Sequence, residues 1–335
     1  MQTIDKRLEL QDEICRVTPN SFDELAIKVF RYQVEHNPIY QQYIKILKID
    51  IEKVDAIEKI PFLPIQLFKS QTIQTGHWQP ETIFTSSGTT GQQTSQHYVQ
   101  STDWYDKITK IGFEHFYKNV ENYCILALLP SYLERKGSSL VHMADYFIKL
   151  SKHKESDFFL YDFERLQQTL QQLIEQKTPT LLLGVSFALL DFAEQFPTSL
   201  ENVIVMETGG MKGRRKEITR TELHQVLKNA FDVKNIHSEY GMTELLSQGY
   251  SKGNGVFETS LTMKILIKEI TDPMAVQKQG KSGLLNIIDL ANLDSCSFIA
   301  TEDIGRQLKE QEFEILGRLD ASDIRGCNLM VRDLE

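Results

Sequence analysis

The stretch FTSSGTTGQQTSQHY, Phe84 to Tyr98, packs glycines and hydroxyls into one short run and contains no lysine or arginine. Gly88 and Gly91 let the backbone turn its N–H groups inward and approach a ligand closely, and the hydroxyls of Ser86, Ser87, Thr89 and Thr90 can donate to phosphate oxygens. That chemistry suits a polyphosphate. The run matches neither GxxxxGK[ST] nor GxGxxG, so the two commonest phosphate-loop fingerprints do not apply. Taken alone, its composition is equally that of a flexible surface loop. TIFTSS leads into it as a short β-like run, and before that IPFLPIQLFKS, with Pro61 and Pro64, breaks a helical pattern, so a strand–loop element is the expected setting.

Upstream, residues 5 to 60 carry apolar residues at helical spacing, as in Phe22, Leu25, Ala26, Val29, Phe30 and then Tyr40, Tyr43, Ile44, Leu47. Downstream, apolar runs of strand length recur as CILALLP from Cys124, TLLLG from Thr180 and NVIVMETGG from Asn202, each near a helical stretch such as Phe163 to Gln176 or Glu217 to Phe231. Buried strands alternating with helices predict an α/β fold with mostly parallel sheet covered on both faces. After residue 255 the texture turns β-rich, in FETSLTMKILIKEI, KSGLLNIIDLAN and FEILGRLD. No internal repeat or low-complexity tract is present.

Composition narrows the function. The 335 residues are 41% hydrophobic with a mean hydropathy of -0.30, an ordinary globular balance that can bury one large core or two smaller ones. Lys+Arg 37 against Asp+Glu 46 gives a net charge of -9, so no broad positive field attracts nucleic acid or an anionic membrane surface. MQTIDKRLELQDEICRV has no apolar leader core, and no segment reaches the length of a membrane span, so a cytoplasmic location is expected. Cys15, Cys124, Cys296 and Cys327 form no CxxC pair and have no histidine at metal spacing, which argues against a disulfide framework or a zinc site.

Further stretches extend the reading of the glycine loop. SSGTTG resembles the phosphate loop of the adenylate-forming enzymes, the superfamily of acyl-CoA synthetases, luciferases and adenylation domains. Four more stretches resemble that superfamily's motifs in the same order: ETGGMKG from Glu207 its adenine-pocket segment, SEYGMTE from Ser238 its YGxTE motif, TEDIG from Thr301 its ribose motif, and GRLDASDIRG from Gly317 its hinge. Within the superfamily the chain is most similar to acyl-protein synthetases of the LuxE type, through FTSSGTTG, SEYGMTE and GRLDASDIRGCNLM. Singly, each motif has a plainer reading, since YG is a frequent turn and Arg-x-Asp is usually a solvated pair.

The resemblance implies the adenylate-forming large-domain fold, with residues 1–80 a helical lead-in packed on the core, 81–315 the nucleotide-binding core and 316–335 a hinge-like segment. It implies ATP and Mg²⁺, with Ser86, Ser87, Gly88, Thr89, Thr90, Gly91, Gly209, Gly210, Tyr240, Gly241, Asp303 and Arg318 around the nucleotide. Tyr240 would stack on adenine, Thr243 would touch the α-phosphate, Glu244 would hold the metal, and Asp303 would accept the ribose hydroxyls. Arg318 would donate to ribose or phosphate through its planar fork. The implied reaction turns a carboxylic acid, in this family a fatty acid, into acyl-AMP and passes the acyl group to a cysteine near the carboxyl end. Cys327, nine residues from the end counted inclusively, is the candidate acceptor. It is equally readable as a small buried hydrophobe. An acyl reductase or acyltransferase would be the partner protein. An acyl-CoA ligase using coenzyme A and a nucleotide-binding subunit without chemistry of its own stay open as alternatives.

The sequence also departs from the superfamily. Its phosphate loop usually ends in a lysine, whereas Gln92, Gln93 and Thr94 follow Gly91 here. The chain stops just past the hinge-like stretch, so the mobile domain that carries a catalytic lysine in relatives is expected to be missing or vestigial. Lys212, Arg214 or Arg215, or a partner protein, are the candidates to replace that charge. In LLPSYLERKGSSL, Leu133 falls near the position of the relatives' substrate gate with Tyr132 beside it, and His237 is a titratable alternative that also reads as a bonded structural histidine. Phe187, Leu189, Leu190 and Phe192 suit either an acyl tunnel or, more simply, helix core.

Overall fold

The computed structural model describes residues 2–86, 93–130, 137–160, 162–209, 218–272 and 274–319. Three helices come first, α1 (Gln2–Cys15), α2 (Phe22–His36) and α3 (Pro38–Ile46), followed by single 3-10 turns at Ile51–Lys53 and Ile57–Lys59. The apolar spacing read in the sequence forms the buried stripe of α2, with Phe22, Leu25, Ala26, Val29 and Phe30 all inside. α3 starts abruptly because the Asn37 side chain accepts the Tyr40 N–H at 3.0 Å and Pro38 needs no amide partner in the first turn.

The main body alternates strand and helix: β1 (Leu63–Pro64), α4 (Leu67–Ser70), β2 (Thr82–Thr85), β3 (Gln96–Val99), α5 (Thr102–Tyr117), β4 (Cys124–Leu128), α6 (Ser139–Leu150), β5 (Asp157–Phe158), α7 (Phe163–Glu175), β6 (Thr180–Val185), α8 (Ser186–Gln195), β7 (Val203–Thr208), α9 (Arg220–Phe231) and β8 (His237–Tyr240). Side-chain caps set several helix starts. Ser101, Ser138 and Asp162 each accept an N–H from the first turn of α5, α6 and α7. The expected helix over 217–231 begins at Arg220, because Thr219 and Glu222 form a reciprocal capping box there. β9 (Gly249–Ser251), β10 (Val256–Thr259), β11 (Met263–Lys268), β12 (Ser282–Asp289), β13 (Phe298–Gln307) and β14 (Glu312–Arg318) complete the β-rich part.

Among the described residues, 12 of these strands form a single sheet. Its parallel half runs β5-β4-β6-β7-β8, and its antiparallel half continues β9-β10-β14-β13-β12-β11, with β1 laid parallel to β13. The parallel strands are buried on both faces, which is why CILAL and TLLLGV carry no polar alternation. The expected α/β architecture with a β-rich final part is what forms. The winding reverses between β4 and β6, and in open sheets of this kind the crevice beyond the carboxyl ends of the strands is where ligands sit. Here β7 and β8 pair in register as Glu207↔Ser238 and Thr208↔Glu239, so the residues that follow each strand emerge side by side.

α8 settles the tunnel-or-core choice: Phe187, Leu189, Leu190 and Phe192 are buried in the main apolar core, and none of them lines the large cavity described below. Helix core is therefore the right reading. Cys124 and Cys296 are buried as well, and burial pushes their thiols up to about 11 and about 12, so both stay protonated at neutral pH.

Candidate active site

A cavity of about 600 Å³ opens at the carboxyl ends of β7 and β8. Its wall holds Ser86 from the glycine loop, Gly209 after β7, Tyr240, Gly241, Thr243 and Glu244 from the SEYGMTE stretch, Asp303 on β13 and Arg318 on β14. Residues widely separated in sequence thus meet at one site. Ser87, Gly88, Thr89, Thr90, Gly91, Gly210, Lys212, Arg214, Arg215, Tyr132, Leu133 and Cys327 lie outside the described residues.

The glycine loop springs from a hairpin, β2 paired antiparallel with β3 from Thr82↔Val99 to Thr85↔Gln96. Its neck is closed by the Ser95 N–H donating to Ser86 Oγ at 2.9 Å and the Ser86 N–H to the Ser95 carbonyl at 3.2 Å. Gly209 has φ +67, a left-handed conformation that costs a Cβ-bearing residue energy, and its carbonyl accepts the Ser186 hydroxyl at 2.5 Å. At Gly241 a Cβ would crowd the Glu239 carboxylate, so a larger residue there would make that side chain shift. That carboxylate also accepts the Thr208 hydroxyl in a short hydrogen bond.

The turn after Tyr240 is held from behind through its backbone. His97, on β3, bonds the Thr243 carbonyl through Nδ1 at 2.9 Å and Ser295 Oγ through Nε2 at 2.9 Å. Asn292 donates to the Glu244 carbonyl at 2.8 Å, and Asp289 accepts from the Leu246 and Ser247 amides at 2.8 and 2.9 Å. With the carbonyls tied to the core, the Thr243 and Glu244 side chains are left at the cavity wall. Glu244 is buried, and desolvation pushes its carboxyl up, while the Ser95 hydrogen bond, its own amide and the charges of Arg318 and Lys69 pull in the other direction.

Opposite, Tyr240 OH donates to Asp303 Oδ2 at 2.7 Å, and the Tyr240 ring packs edge-on against Phe257 and Phe313. Burial raises the Asp303 carboxyl above the ordinary range; the Tyr240 hydrogen bond and the Arg318 charge only partly oppose it. Asp303 and Arg318 are register partners across β13 and β14, but the Arg318 guanidinium is bonded to Glu302 at 2.9 Å.

The sequence reading missed several groups in this wall. Lys69 sits in the IPFLPIQLFKS stretch, read there only as a break in pattern; Arg220 caps no motif. Arg220 bonds Glu207 at 3.2 Å, and its guanidinium lies 4.9 Å from the Phe257 ring centre. Glu207 is buried with His224 at 3.4 Å; desolvation acts to raise its carboxyl, yet the His224 hydrogen bond and the Arg220 charge hold it below the usual range. Glu207, which opens the ETGGMKG stretch, does not itself line the cavity. His237 is not at the cavity: it bonds Tyr117 OH at 3.0 Å, and burial pushes it down to about 4, the behaviour of a structural histidine.

No protein-family profile matches the chain, and no curated protein does. Solved structures do. MatB from Rhodopseudomonas palustris with ATP bound superposes with a TM-score of 0.54 over 70% of this chain and 47% of its own, at 14% identity, so the chain spans about half the length of that protein. An open conformation of 2-hydroxyisobutyryl-CoA ligase in complex with 2-HIB-AMP and CoA superposes with a TM-score of 0.63 over 91% of this chain and 76% of its own, at 12% identity. The same ligase in its thioesterification state gives 0.64 over 91% and 69%, also at 12% identity. The chain therefore has the fold of the adenylate-forming ligases, over nearly its whole length.

Proposed function

We propose that this chain is an AMP-forming acid–thiol ligase that activates a carboxylic acid with ATP. The observation that carries this reading is the meeting of Ser86, Gly209, Tyr240 to Glu244, Asp303 and Arg318 around one cavity at the carboxyl ends of parallel strands. In this reading Tyr240 and Gly209 face the adenine, Asp303 accepts the ribose hydroxyls and the glycine loop wraps the outer phosphates. Thr243 contacts the α-phosphate. The buried Glu244 carboxylate suits a hard divalent cation that also takes phosphate oxygens, and Mg²⁺ there would supply positive charge to the triphosphate.

The first step is attack of a carboxylate oxygen on the α-phosphorus, forming the acyl–phosphate bond and breaking the bond to pyrophosphate, which leaves with its electron pair. Positioning and electrostatic stabilisation are the protein's part in it. In the second step a thiolate attacks the acyl carbonyl carbon and AMP leaves. The LuxE-type resemblance assigns the thiol to Cys327, the acid to the fatty class, and the eventual acceptor to a reductase or acyltransferase. A second reading, with coenzyme A as the thiol, is favoured by the complexes of 2-hydroxyisobutyryl-CoA ligase with CoA.

Acid-dependent exchange of labelled pyrophosphate into ATP, across fatty, hydroxy and aromatic acids, tests the first step. Exchange with one acid class is the expected result, and ATP binding without any exchange would sink the reading. Label from the acid retained on the chain, and lost in Cys327→Ala while exchange persists, separates the protein thiol from coenzyme A.

A further inference from the structure

The cavity wall is acidic for a site that would hold a triphosphate: Glu239, Glu244, Glu302 and Asp303 face Lys69, Arg220 and Arg318. Two of those cations are already engaged. Arg220 pairs with buried Glu207, and Arg318 pairs with Glu302. Lys69 has no ion-pair partner among the described residues, although its charge is felt at Glu244. The glycine loop itself carries no lysine or arginine from Phe84 to Tyr98. A polyphosphate in this wall therefore meets Lys69 as the described cation with its charge uncommitted.

Lys69 is also held in place by its surroundings. β1 runs beside β13 through Leu63↔Ile299 and Pro64↔Ala300, and the Ile65 amide bonds the Ala300 carbonyl at 3.0 Å. Gln66 donates to Glu302 at 2.8 Å, and Phe68 is buried with its ring edge-on to His97 at 5.7 Å. The backbone around Lys69 is thus fastened both to the strand that carries Asp303 and to the histidine that holds the Thr243 carbonyl. Its side chain is exposed at the cavity wall, free to follow a ligand. A lysine acts as a compact, mobile point charge, which suits phosphate oxygens whose charge shifts during reaction.

We propose that Lys69 contacts the phosphates of the bound nucleotide and supplies the positive charge that the glycine loop lacks, making it a catalytic residue of the adenylation step. This rests on the ligase reading above. It places the cation on the amino-terminal side of the chain, fixed to the same sheet as the ribose-facing carboxylate.

The experiment compares wild type, Lys69→Met and Lys69→Arg for binding of ATP and of adenosine by calorimetry, and for pyrophosphate exchange. Because Lys69 is exposed, all three should unfold at the same temperature, so a binding change reads the charge and not the fold. Lys69→Met is expected to weaken ATP at least tenfold with adenosine unchanged, and to slow exchange on the order of 100-fold, with Lys69→Arg recovering part of both. Unchanged ATP binding and exchange in Lys69→Met overturns the inference while the ligase reading stands. Equal loss of ATP and adenosine also overturns it, since that would mark a structural role. If wild type prefers ATP to adenosine and Lys69→Met loses the preference, but no acid supports exchange in wild type, Lys69 remains a phosphate contact and the ligase reading falls. Failure of wild type to bind ATP removes both.

Discussion

Tyr240 and Asp303, 63 positions apart in sequence, are joined by a 2.7 Å hydrogen bond that ties the end of β8 to β13 across the candidate active site. The bond fixes the tyrosine ring and one oxygen of a carboxylate that burial would prefer neutral. Tyr240→Phe removes the donor and leaves the ring, so the acceptor loses its partner without a cavity forming. A loss of about 1–2 kcal/mol of stability is expected, at the low end of the cost of an unpaired acceptor because Asp303 is only half-buried at the wall. Urea titration measures it, and no loss would mean that solvent already satisfies Asp303.

Asp303→Asn has the opposite expected sign. A carboxyl whose folded pKa lies above its unfolded value makes ionisation costly to the folded state, so the wild-type contribution is unfavourable above the folded pKa and fades as pH falls below it. The asparagine variant should therefore be more stable at pH 7, with the advantage closing as pH drops through the raised pKa. It should bind ATP more weakly all the same, because a neutral amide oxygen is a poorer acceptor for ribose hydroxyls. Unfolding temperatures measured from pH 7 to 4, set beside ATP affinity, check both halves. A variant less stable than wild type at pH 7 would refute the account.

The sequence made the parallel strands and the turn after β7 legible because each has a local signature: an apolar run, or a glycine with a special backbone. Gly209 illustrates this through its left-handed backbone. Lys69 and His97 were not legible, and the reason is physical. Their roles come from contacts at long range, with Lys69 brought to the wall by strand pairing of Leu63 and Pro64 to β13, and His97 bonded to Thr243 and Ser295, 146 and 198 positions away. The lone glutamate of VIVMET gave a hint of burial, yet its partners Arg220 and His224 come from α9 and meet it only in the folded chain.

His97 is expected to make the fold sensitive to acid. Burial pushes its imidazole from 6.5 down to about 4, so the unfolded chain binds a proton in that window and the folded chain does not. The contribution of His97 is then full above pH 6.5 and is lost progressively as pH falls towards 4, by about 3 kcal/mol for this one group. His237, also pushed to about 4, adds in the same direction. His97→Asn keeps polar atoms near Thr243 and Ser295 and cannot titrate, so it should be less stable at pH 7 yet show a shallower fall between pH 6.5 and 4. Denaturant midpoints across that range decide it; an unchanged slope would assign the acid sensitivity elsewhere.

Glu244 combines the stability and functional arguments in one residue. Its carboxyl is raised by burial, so holding the ion costs the folded protein stability at neutral pH, and Glu244→Gln should raise the unfolding temperature there, with the gain disappearing on acidification. The retained charge has a use if it meets a divalent cation, since binding the metal requires the deprotonated form. Apparent Mg²⁺ affinity in the presence of ATP should accordingly fall about tenfold per pH unit below the raised pKa of Glu244 in wild type. In Glu244→Gln the affinity should be weaker and nearly flat with pH, and pyrophosphate exchange should drop on the order of 100-fold. Nucleotide without metal should bind the variant at least as well as wild type, because a buried negative charge near the phosphates has been removed. If Mg²⁺ affinity kept its pH dependence in Glu244→Gln, the metal would belong to a different carboxylate of the wall, and Asp303 and Glu239 would be the next to replace.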